Sequence, residues 1–452
     1  MAKASTQILS RTGMGLALVL ALAACEREVV LSGERFGTRV PLAASLAAAD
    51  GTEAIAPTAA EDVSRPISLP GATRLDAWPQ RGLNAQNRLS HVTLAAAPVE
   101  IFASDIGQGN TRRSRITADP VAGGGRIYTL DSDAGLVATG LGGETLWSVN
   151  LLPTFERGGG VSGGALALDG DMLFATTGYR ELVALDAATG QVIWRQQLDA
   201  GLTAPTVVGD TVYVVSRDSQ AWSIDRGDGR IRWQLPASPV GAVLSGGGAA
   251  PAVTDQFVIF PFGSGEIVAS MRQSGTEIWR TNVAGGRRGV AYNDLNEITS
   301  DPVVVGNVIY AGNQSGRVVA LDGRTGARLW AADEGAYSPV VPAGDSLFFV
   351  SDRNELIRVD ANTGNRIWGT ELPLYQQDRE RRRRAVFTHY GPILAGGQLV
   401  VASGDGLIRF FSPESGALTG TAEIRGGAAA HPIVVNDTLY VVSQDGRLHA
   451  YR

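Results

Sequence analysis

The chain has 452 residues and a formal net charge of −6, and 44% of its residues are hydrophobic. Its 57 glycines and its modest share of charged residues, 19%, are typical of a large, turn-rich globular protein. The acidic balance argues against nucleic acid as a general partner. Because the chain has a single cysteine, internal disulfides and cysteine-based metal sites are excluded.

The N-terminus has the pattern of a secretory signal. Two basic residues precede a short apolar stretch, Met14 to Ala21, which is too short to anchor the chain across a bilayer. It ends in Leu-Ala-Ala-Cys at 22–25, which resembles the lipobox of bacterial lipoproteins. The resemblance implies a signal peptide over residues 1–24 and acylation of Cys25 as the mature, membrane-anchored N-terminus. Glu26 after the cysteine favours the periplasmic face of the outer membrane; an ordinary signal peptide with an unmodified cysteine is the alternative.

Residues 25–98 are rich in Ala, Pro, Thr and acidic residues and carry no repeat. We predict a tether with local docking points. One such point is Thr73–Gln80, because Trp78 is a lone tryptophan in a polar linker and such residues usually pack against a surface. The sequence leaves open whether that surface belongs to the domain that follows, residues 99–452, or to a partner.

A nine-residue phrase, Asp-x-x-x-Gly-x-x-x-Trp, recurs through residues 99–452 at separations of roughly forty to fifty residues, as expected of propeller blades or solenoid units. The complete copies are Asp186-Gly190-Trp194, Asp225-Gly229-Trp233, Asp322-Gly326-Trp330 and Asp360-Gly364-Trp368. Partial copies are Gly143-Trp147, Gly275-Trp279 and Gly416-Gly420, the last without its tryptophan. Glycine provides the positive φ of a tight turn, aspartate bonds to the turn backbone, and each tryptophan is expected to pack between neighbouring sheets.

Three β-rich runs precede each turn, and the tryptophan lies on a fourth. In one copy the runs are Pro302–Val304, Asn307–Tyr310 and Arg317–Asp322. Four-stranded antiparallel sheets repeated around an axis form a β-propeller, so the sequence predicts this all-β fold.

The strand count predicts how the ring closes. The third strand occurs eight times, ending with Gly446–Tyr451, whereas the turn and the outer strand occur seven times. A closed ring leaves no exposed edge, so the missing outer strand must come from the N-terminal side. Val99–Ile106 fits, with Phe102 at the tryptophan position. We therefore predict eight blades; an open solenoid would need polar capping units, which the sequence does not show.

Catalytic motifs are not found. The four histidines, His91, His389, His431 and His449, lack metal-ligand spacing, and no nucleophile elbow or phosphate-binding loop accompanies them. We therefore expect no catalytic residue, no metal and no cofactor.

One local exception to the acidic balance is the basic run Arg379–Arg384. It has two interpretations: a solvated loop insertion, or a contact with lipid headgroups or with an acidic partner.

The repeat unit, with its Pro-Val-Val, Val-Ile-Tyr and Val-Val-Ala-Leu-Asp-x-x-Thr-Gly-x-x-x-Trp segments, resembles the pyrroloquinoline-quinone-like propellers over about residues 101–452. Two classes share that repeat. The quinoprotein dehydrogenases hold the quinone and a calcium ion on the propeller axis, and many use a vicinal disulfide that this chain cannot make. The BamB family consists of non-enzymatic, eight-bladed lipoproteins of the outer-membrane β-barrel assembly machinery. The lipobox, the chain length and the blade count resemble the BamB family.

That resemblance implies a scaffold whose partner is BamA, bound through its periplasmic domains, alongside other assembly-machinery lipoproteins and unfolded outer-membrane proteins. In the family, two neighbouring connections are associated with BamA binding. They correspond here to 242–246, with Val243 and Leu244, and to 293–301, with Asp294, Leu295 and Glu297. The first lacks the family's arginine, and both could be ordinary blade connections. A quinone-dependent dehydrogenase and a glycan-binding propeller of the cell envelope are the alternatives.

Overall fold

The structure is a computed structural model that describes residues 62–154, 156, 161, 163–238, 248–283, 296–377 and 379–452. In these residues the regular structure is β-strand, apart from one short 3-10 helix, Glu380–Arg382. The strands form eight four-stranded antiparallel sheets, the blades of a β-propeller. The all-β, eight-bladed prediction is confirmed.

Blades are numbered along the chain. Blades 1 to 4 are formed by β2 (Val121–Gly123), β3 (Arg126–Leu130), β4 (Gly135–Gly140), β5 (Thr145–Asn150), β6 (Gly164–Asp169), β7 (Met172–Thr177), β8 (Glu181–Asp186), β9 (Val192–Gln197), β10 (Thr206–Val208), β11 (Thr211–Ser216), β12 (Gln220–Asp225), β13 (Ile231–Pro236), β14 (Ala252–Val253), β15 (Phe257–Pro261), β16 (Glu266–Met271) and β17 (Glu277–Asn282).

Blades 5 to 7 continue the same order, four strands each. They are formed by β18 (Val303–Val305), β19 (Val308–Asn313), β20 (Arg317–Asp322), β21 (Arg328–Ala332), β22 (Val341–Ala343), β23 (Ser346–Val350), β24 (Glu355–Asp360), β25 (Arg366–Glu371), β26 (His389–Ala395), β27 (Gln398–Ser403), β28 (Leu407–Phe411) and β29 (Leu418–Glu423). Blade 8 combines three C-terminal strands with the first strand of the chain, β1 (Glu100–Asp105), β30 (Ile433–Val435), β31 (Thr438–Val442) and β32 (Arg447–Tyr451).

Burial explains the composition of the strands. The second strand of blade 3, β11, is buried along its whole length, whereas the outer strand of the same blade, β13, alternates exposed and half-buried residues. Inner strands pack against neighbouring blades on both faces and are therefore apolar throughout, while outer strands contact solvent and follow the two-residue period of a half-buried strand. The core thus lies between blades, near the middle of each sheet.

Blade 8 closes the ring as predicted. β1 pairs antiparallel with β32, and Phe102 lies opposite Ala450. Beyond the last pair, Val99 and Arg452 exchange two backbone hydrogen bonds of 2.9 Å each. The N-terminal strand therefore covers the edge that the C-terminal strand would otherwise expose.

The repeated phrase builds the turn before each outer strand. In blade 2 the Asp186 carboxylate accepts hydrogen bonds from the backbone N–H groups of Ala188 and Thr189, at 3.0 and 2.8 Å. Gly190 has φ +75° and donates its N–H to the Asp186 carbonyl. The aspartate thus fixes the turn, and the glycine allows its left-handed residue.

The tryptophan joins its blade to the next one. A Cβ atom added to Gly190 would lie 2.6 Å from Cε3 of Trp147, so the indole of blade 1 lies directly on the turn glycine of blade 2. The Trp147 indole N–H also donates to the Ala187 carbonyl of that turn, at 3.2 Å. The same contact recurs around the ring, as Gly143 on Phe102, Gly229 on Trp194, Gly275 on Trp233, Gly326 on Trp279, Gly364 on Trp330 and Gly416 on Trp368.

Blade 7 shows why the last phrase has no tryptophan. Gly420 occupies the tryptophan position, and the blade that follows has no turn before its outer strand, because that strand is β1. A tryptophan there would have no turn glycine to pack on. Its cross-strand partner is Phe410, whereas Trp147 lies opposite the small Ala138. In blade 7 the large residue, Phe410, is on the third strand and the small one, Gly420, is on the outer strand. This is the reverse of blade 1, and the space between the strands stays filled.

Candidate partner-binding face and propeller axis

The propeller has two faces with different loops. Because successive strands of a blade are antiparallel, the hairpins after the first and third strands lie on one face, which we call the turn face. The other face, the connection face, carries the second hairpin of each blade and the segments that lead to the next blade. In the sequence, the two predicted partner-binding segments fall within connections 237–251 and 283–302, whose described ends join blade 4 to its neighbours on the connection face.

Most residues predicted from the family resemblance fall outside the described parts of these connections. This applies to Val243, Leu244, Asp294 and Leu295, and Cys25 is likewise outside the described chain. Glu297 is described, and it is 4% exposed. Its carboxylate therefore lies within the protein rather than at the surface.

The first connection is held where it leaves blade 3. The carboxylate of Glu266, on β16, accepts hydrogen bonds from the backbone N–H and the hydroxyl of Ser238, at 2.9 and 3.0 Å. Arg280 lies 3.2 Å from the same carboxylate. Burial opposes ionisation of Glu266, yet the hydrogen bonds from Ser238 and Ser264 and the charge of Arg280 lower its pKa.

The N-terminal segment that the sequence suggested as a tether packs on the propeller from residue 62 onward. Residues 73–94, which we call the axial segment, lie against the innermost strands. Trp78 is 2% exposed and exchanges backbone hydrogen bonds of 2.7 and 2.8 Å with Ala122 on β2. The surface that receives Trp78 thus belongs to the propeller.

The axial segment reaches most of the ring in this way. The Gln80 side chain bonds both the N–H and the carbonyl of Val207 on β10, as a strand neighbour would. Backbone hydrogen bonds to other blades are Leu168 N–H to Pro79, Val253 N–H to Ala85, Val304 N–H to Gln86, Val92 N–H to Leu394 and Asn436 N–H to Leu75. The segment thereby provides hydrogen-bond partners for backbone N–H and carbonyl groups on the inner strand edges that face the propeller axis.

Blade 6 holds the start of the described chain. The Val63 N–H donates to the Ile367 carbonyl at 2.9 Å, and the Arg65 guanidinium lies 3.1 Å from the Asp360 carboxylate. Arg358, whose side chain is 0% exposed, donates to the Arg65 carbonyl at 2.5 Å. Residues 63–65 are therefore fixed to the propeller, as the axial segment is.

Arg81 of the axial segment joins three connections near the axis. Its guanidinium donates to the Gly248 carbonyl at 2.8 Å and lies 3.1 Å from the Asp119 carboxylate. It also lies 3.3 Å from Asp301, which is fully buried. The other Asp301 oxygen accepts the Ala250 N–H at 2.7 Å. Gly248 and Asp301 are near the ends of the two connections that flank blade 4.

The charges of this cluster depend on one another. Burial opposes ionisation of Asp119, but His431 and Arg81 lower its pKa to about 2. His431 contributes its backbone N–H, at 2.8 Å, as well as its ring. Burial raises the pKa of Asp301, and Arg81 offsets that effect only in part. Removing Arg81 would therefore leave two buried carboxylates without the arginine that offsets their burial.

The cofactors that the dehydrogenase resemblance implies do not fit this axis. Quinone and calcium sites need open space and free oxygen ligands. Here the axial carboxylates of Asp119 and Asp301 face Arg81, and the axial segment lies against the inner strands. Among the residues that the structure describes, no cluster of three or more His, Cys, Asp or Glu side chains has metal-binding geometry.

The sequence profile of one protein family matches residues 124–370, more than half of the chain, and that family is described as outer membrane protein assembly factor BamB. The chain belongs to the BamB family. A similar relative is the outer membrane protein assembly factor BamB of Yersinia pestis, 26% identical over 72% of this chain and 80% of the relative. That of Shewanella oneidensis is 24% identical over 80% of this chain and 91% of the relative.

Solved structures support the fold alone. BamB from Moraxella catarrhalis has a TM-score of 0.63 at 20% identity, and the match covers 79% of this chain and 100% of that one. Quinohemoprotein alcohol dehydrogenase from Comamonas testosteroni has a TM-score of 0.62 at 14% identity, covering 84% of this chain and 81% of that one. The backbone is thus shared by two functional classes, and the fold does not separate them.

Sequence reasoning missed the axial arginine cluster. In several blades a proline stands at the start of the innermost strand, and the residue before it varies. That residue is aspartate at 119 and 301 but alanine at 250, and this difference is the only sign of the cluster in the sequence. No helix in the described part of the chain has the length and apolar character needed to span a membrane.

Proposed function

We propose that this protein is an outer-membrane protein assembly factor that acts as a non-enzymatic scaffold. Family membership carries the proposal, because the relatives that match most of the chain bear that name. The axial charge cluster supports it, since the carboxylates of Asp119 and Asp301 pair with Arg81 rather than being left open to a metal or a cofactor. No observation specifically favours the dehydrogenase class.

The proposed topology places the scaffold at the periplasmic face of the outer membrane. Residues 1–24 act as the signal peptide, and Cys25 carries the lipid anchor. Residues 25–98 link the anchor to the propeller of 99–452 and, from residue 62, also pack against it. Mass spectrometry of the mature N-terminus tests this: an acylated Cys25 is expected, and a chain that keeps residues 1–24 contradicts it.

BamA, through its periplasmic domains, is the proposed partner, with other assembly lipoproteins and unfolded outer-membrane proteins meeting on the assembled complex. Val243, Leu244 and Leu295 would supply apolar anchors, and Asp294 would orient the encounter. Glu297, 4% exposed, would support the segment from inside rather than touch the partner. Hydrogen bonds at Ser238, Gly248 and Asp301 hold the ends of both connections, which reduces the entropy lost on binding.

Affinity purification from detergent-solubilised membranes tests the proposal. BamA is expected to copurify with the wild-type chain and to be lost with the double variant Leu244→Asp, Asp294→Lys. Leu418→Asp is the matched control, because Leu418 is a 54%-exposed aliphatic residue on the outer strand of blade 7. Retention of BamA by the double variant would refute the assigned contact. Capture of pyrroloquinoline quinone with calcium and dye reduction by an alcohol would support the dehydrogenase class instead, and retention on peptidoglycan without BamA would support a glycan-binding role.

A further inference from the structure

The connection between blades 6 and 7, residues 372–388, forms a small two-stranded ribbon on the connection face. Tyr375 lies opposite Val386. The Gln376 N–H donates to the Ala385 carbonyl at 3.0 Å, and the Phe387 N–H donates to the Leu374 carbonyl at 2.9 Å. We call residues 374–387 the basic hairpin. Its base is therefore ordered by backbone pairing rather than being a loose loop.

The tip of the basic hairpin concentrates positive charge. Five arginines, residue 379 and residues 381–384, are exposed there beside Glu380, and the sequence places a second acidic residue, Asp378, before Arg379, which leaves an excess of positive charge. The Arg383 guanidinium lies over the Tyr375 ring, 4.9 Å from its centroid. Like charges this close repel one another, and the whole chain is acidic with a net charge of −6. A dense cationic tip on an acidic protein is complementary to an anionic partner.

An apolar cavity of about 680 Å³ lies beside the base of the basic hairpin. Its apolar lining includes Tyr337, Leu374, Tyr375, Val386, Phe387 and Tyr390. Tyr337, Tyr375 and Val386 are 41%, 39% and 48% exposed, although each is large and apolar in its body. The floor is rigid, because His389 bonds the Ser403 hydroxyl at 2.7 Å and the Pro373 carbonyl at 2.8 Å. A cavity of this size accepts several apolar side chains of one segment.

The ribbon also offers a backbone edge. Since Leu374, Gln376, Ala385 and Phe387 make the ribbon's hydrogen bonds, the intervening pair Tyr375 and Val386 points its own N–H and carbonyl groups outward. The Val386 carbonyl accepts the Gln376 side chain. The Tyr375 edge has the geometry that an extended peptide uses when it adds to a strand.

We propose that the basic hairpin and this cavity bind an extended acidic peptide segment of a partner protein, with apolar side chains in the cavity and carboxylates against the arginines. The combination of a concave apolar cavity with a strand edge favours a peptide over a membrane. A flat headgroup layer would contact the cationic tip but would not fill a cavity at its base. This surface lies between blades 6 and 7, whereas the proposed BamA contacts flank blade 4, so the two bindings are separable.

Fluorescence anisotropy with the purified full-length protein in detergent tests this. The probe is a labelled ten-residue peptide of alternating Glu and Leu; its comparison peptides replace Leu by Ser, or Glu by Lys. We expect the Glu/Leu peptide to bind saturably and in a salt-sensitive manner, and we expect neither comparison peptide to do so. The double variant Arg381→Glu, Arg382→Glu should weaken binding about tenfold or more, and Tyr375→Ala and Val386→Asp should each weaken it about tenfold. Circular dichroism verifies that each variant is folded.

Arg230→Glu is the charge control, because Arg230 has an 86%-exposed side chain on the turn face of blade 3. It should leave peptide affinity unchanged. Equal affinity for the Ser-substituted peptide, or full binding by the double arginine variant, would overturn the proposal. Binding to phosphatidylglycerol vesicles with no peptide binding would also overturn it and would assign the hairpin to the membrane.

Discussion

The contact between each tryptophan and the next blade's turn glycine can be isolated by two alanine substitutions. Gly190 and Gly125 share the same backbone angle, φ +75°. A Cβ atom at Gly190 would meet the Trp147 ring at 2.6 Å, whereas at Gly125 it would meet nothing within 4 Å. Gly125→Ala therefore carries only the cost of a left-handed alanine, and Gly190→Ala carries that cost and a steric one.

The magnitudes follow from these geometries. A left-handed conformation costs an alanine about 1–2 kcal/mol, so Gly125→Ala should lower the free energy of unfolding by that amount. Overpacking in a dense interior adds about 1–3 kcal/mol, so Gly190→Ala should lower it by about 2–5 kcal/mol. Urea denaturation followed by far-ultraviolet circular dichroism measures both free energies if the transition is two-state.

A double-mutant cycle separates the contact from the backbone effect. In a Trp147→Leu background the smaller side chain leaves room for the Cβ atom, so the Gly190→Ala penalty should fall to that of Gly125→Ala. Equal penalties for the two alanine variants in the wild-type background would refute the reasoning. The repeat would then owe its tryptophans to burial alone rather than to a fitted contact between blades.

Two further predictions concern the irregular positions. Gly420→Trp restores the repeated phrase but should destabilise the protein by about 1–3 kcal/mol, because Phe410 already occupies the space; Gly420→Ala, whose Cβ would lie 3.8 Å from Phe410, should be nearly neutral in the same denaturation assay. Arg81→Met should cost about 3–5 kcal/mol at pH 7, because Asp301 and Asp119 both lose the arginine that pairs with them and Asp119 keeps only His431. In the wild type, the lowered pKa of Asp119 stabilises the fold above about pH 4, and this contribution is lost as the pH falls towards 2. In the variant, burial raises the pKa of Asp301 without the opposing charge of Arg81, so this carboxyl takes up a proton more readily and the deficit relative to wild type should shrink as the pH falls; a deficit independent of pH would assign the loss to packing.

The blades were predictable from sequence because their determinants are local and periodic. A turn needs its aspartate and glycine at fixed spacing, and the tryptophan follows at a constant offset, so Asp186, Gly190 and Trp194 identify a blade without any tertiary information. The closing strand followed from counting, because a ring with seven outer strands and eight third strands has one unpaired edge. Phe102 then fits the position of the missing tryptophan.

The axial segment was not predictable by the same means. It binds the ring chiefly through backbone groups, such as those of Trp78 and Ala122, and backbone pairing leaves no side-chain pattern in a sequence. Arg358 illustrates the point from the propeller side: it replaces the Ala found opposite the tryptophan in blades 1, 2, 4 and 5, and its role emerges only when the Arg65 carbonyl is seen beside it. Glu297 was predicted as a partner-contact residue from the family resemblance, whereas tertiary packing leaves it only 4% exposed.

The axial segment is bonded to the ends of both proposed partner-binding connections. Arg81 bonds Gly248 at the end of connection 237–251 and pairs with Asp301 at the end of connection 283–302. Asn87 adds hydrogen bonds to the carbonyls of Pro251 and Pro302, at 3.2 and 3.1 Å, just beyond those ends. The axial segment therefore fixes the positions at which both connections rejoin the blades. In a propeller whose axis holds a ligand, the ligand could order that region; here the chain supplies its own arginine and asparagine, which suits a scaffold that must present a fixed surface before any partner arrives.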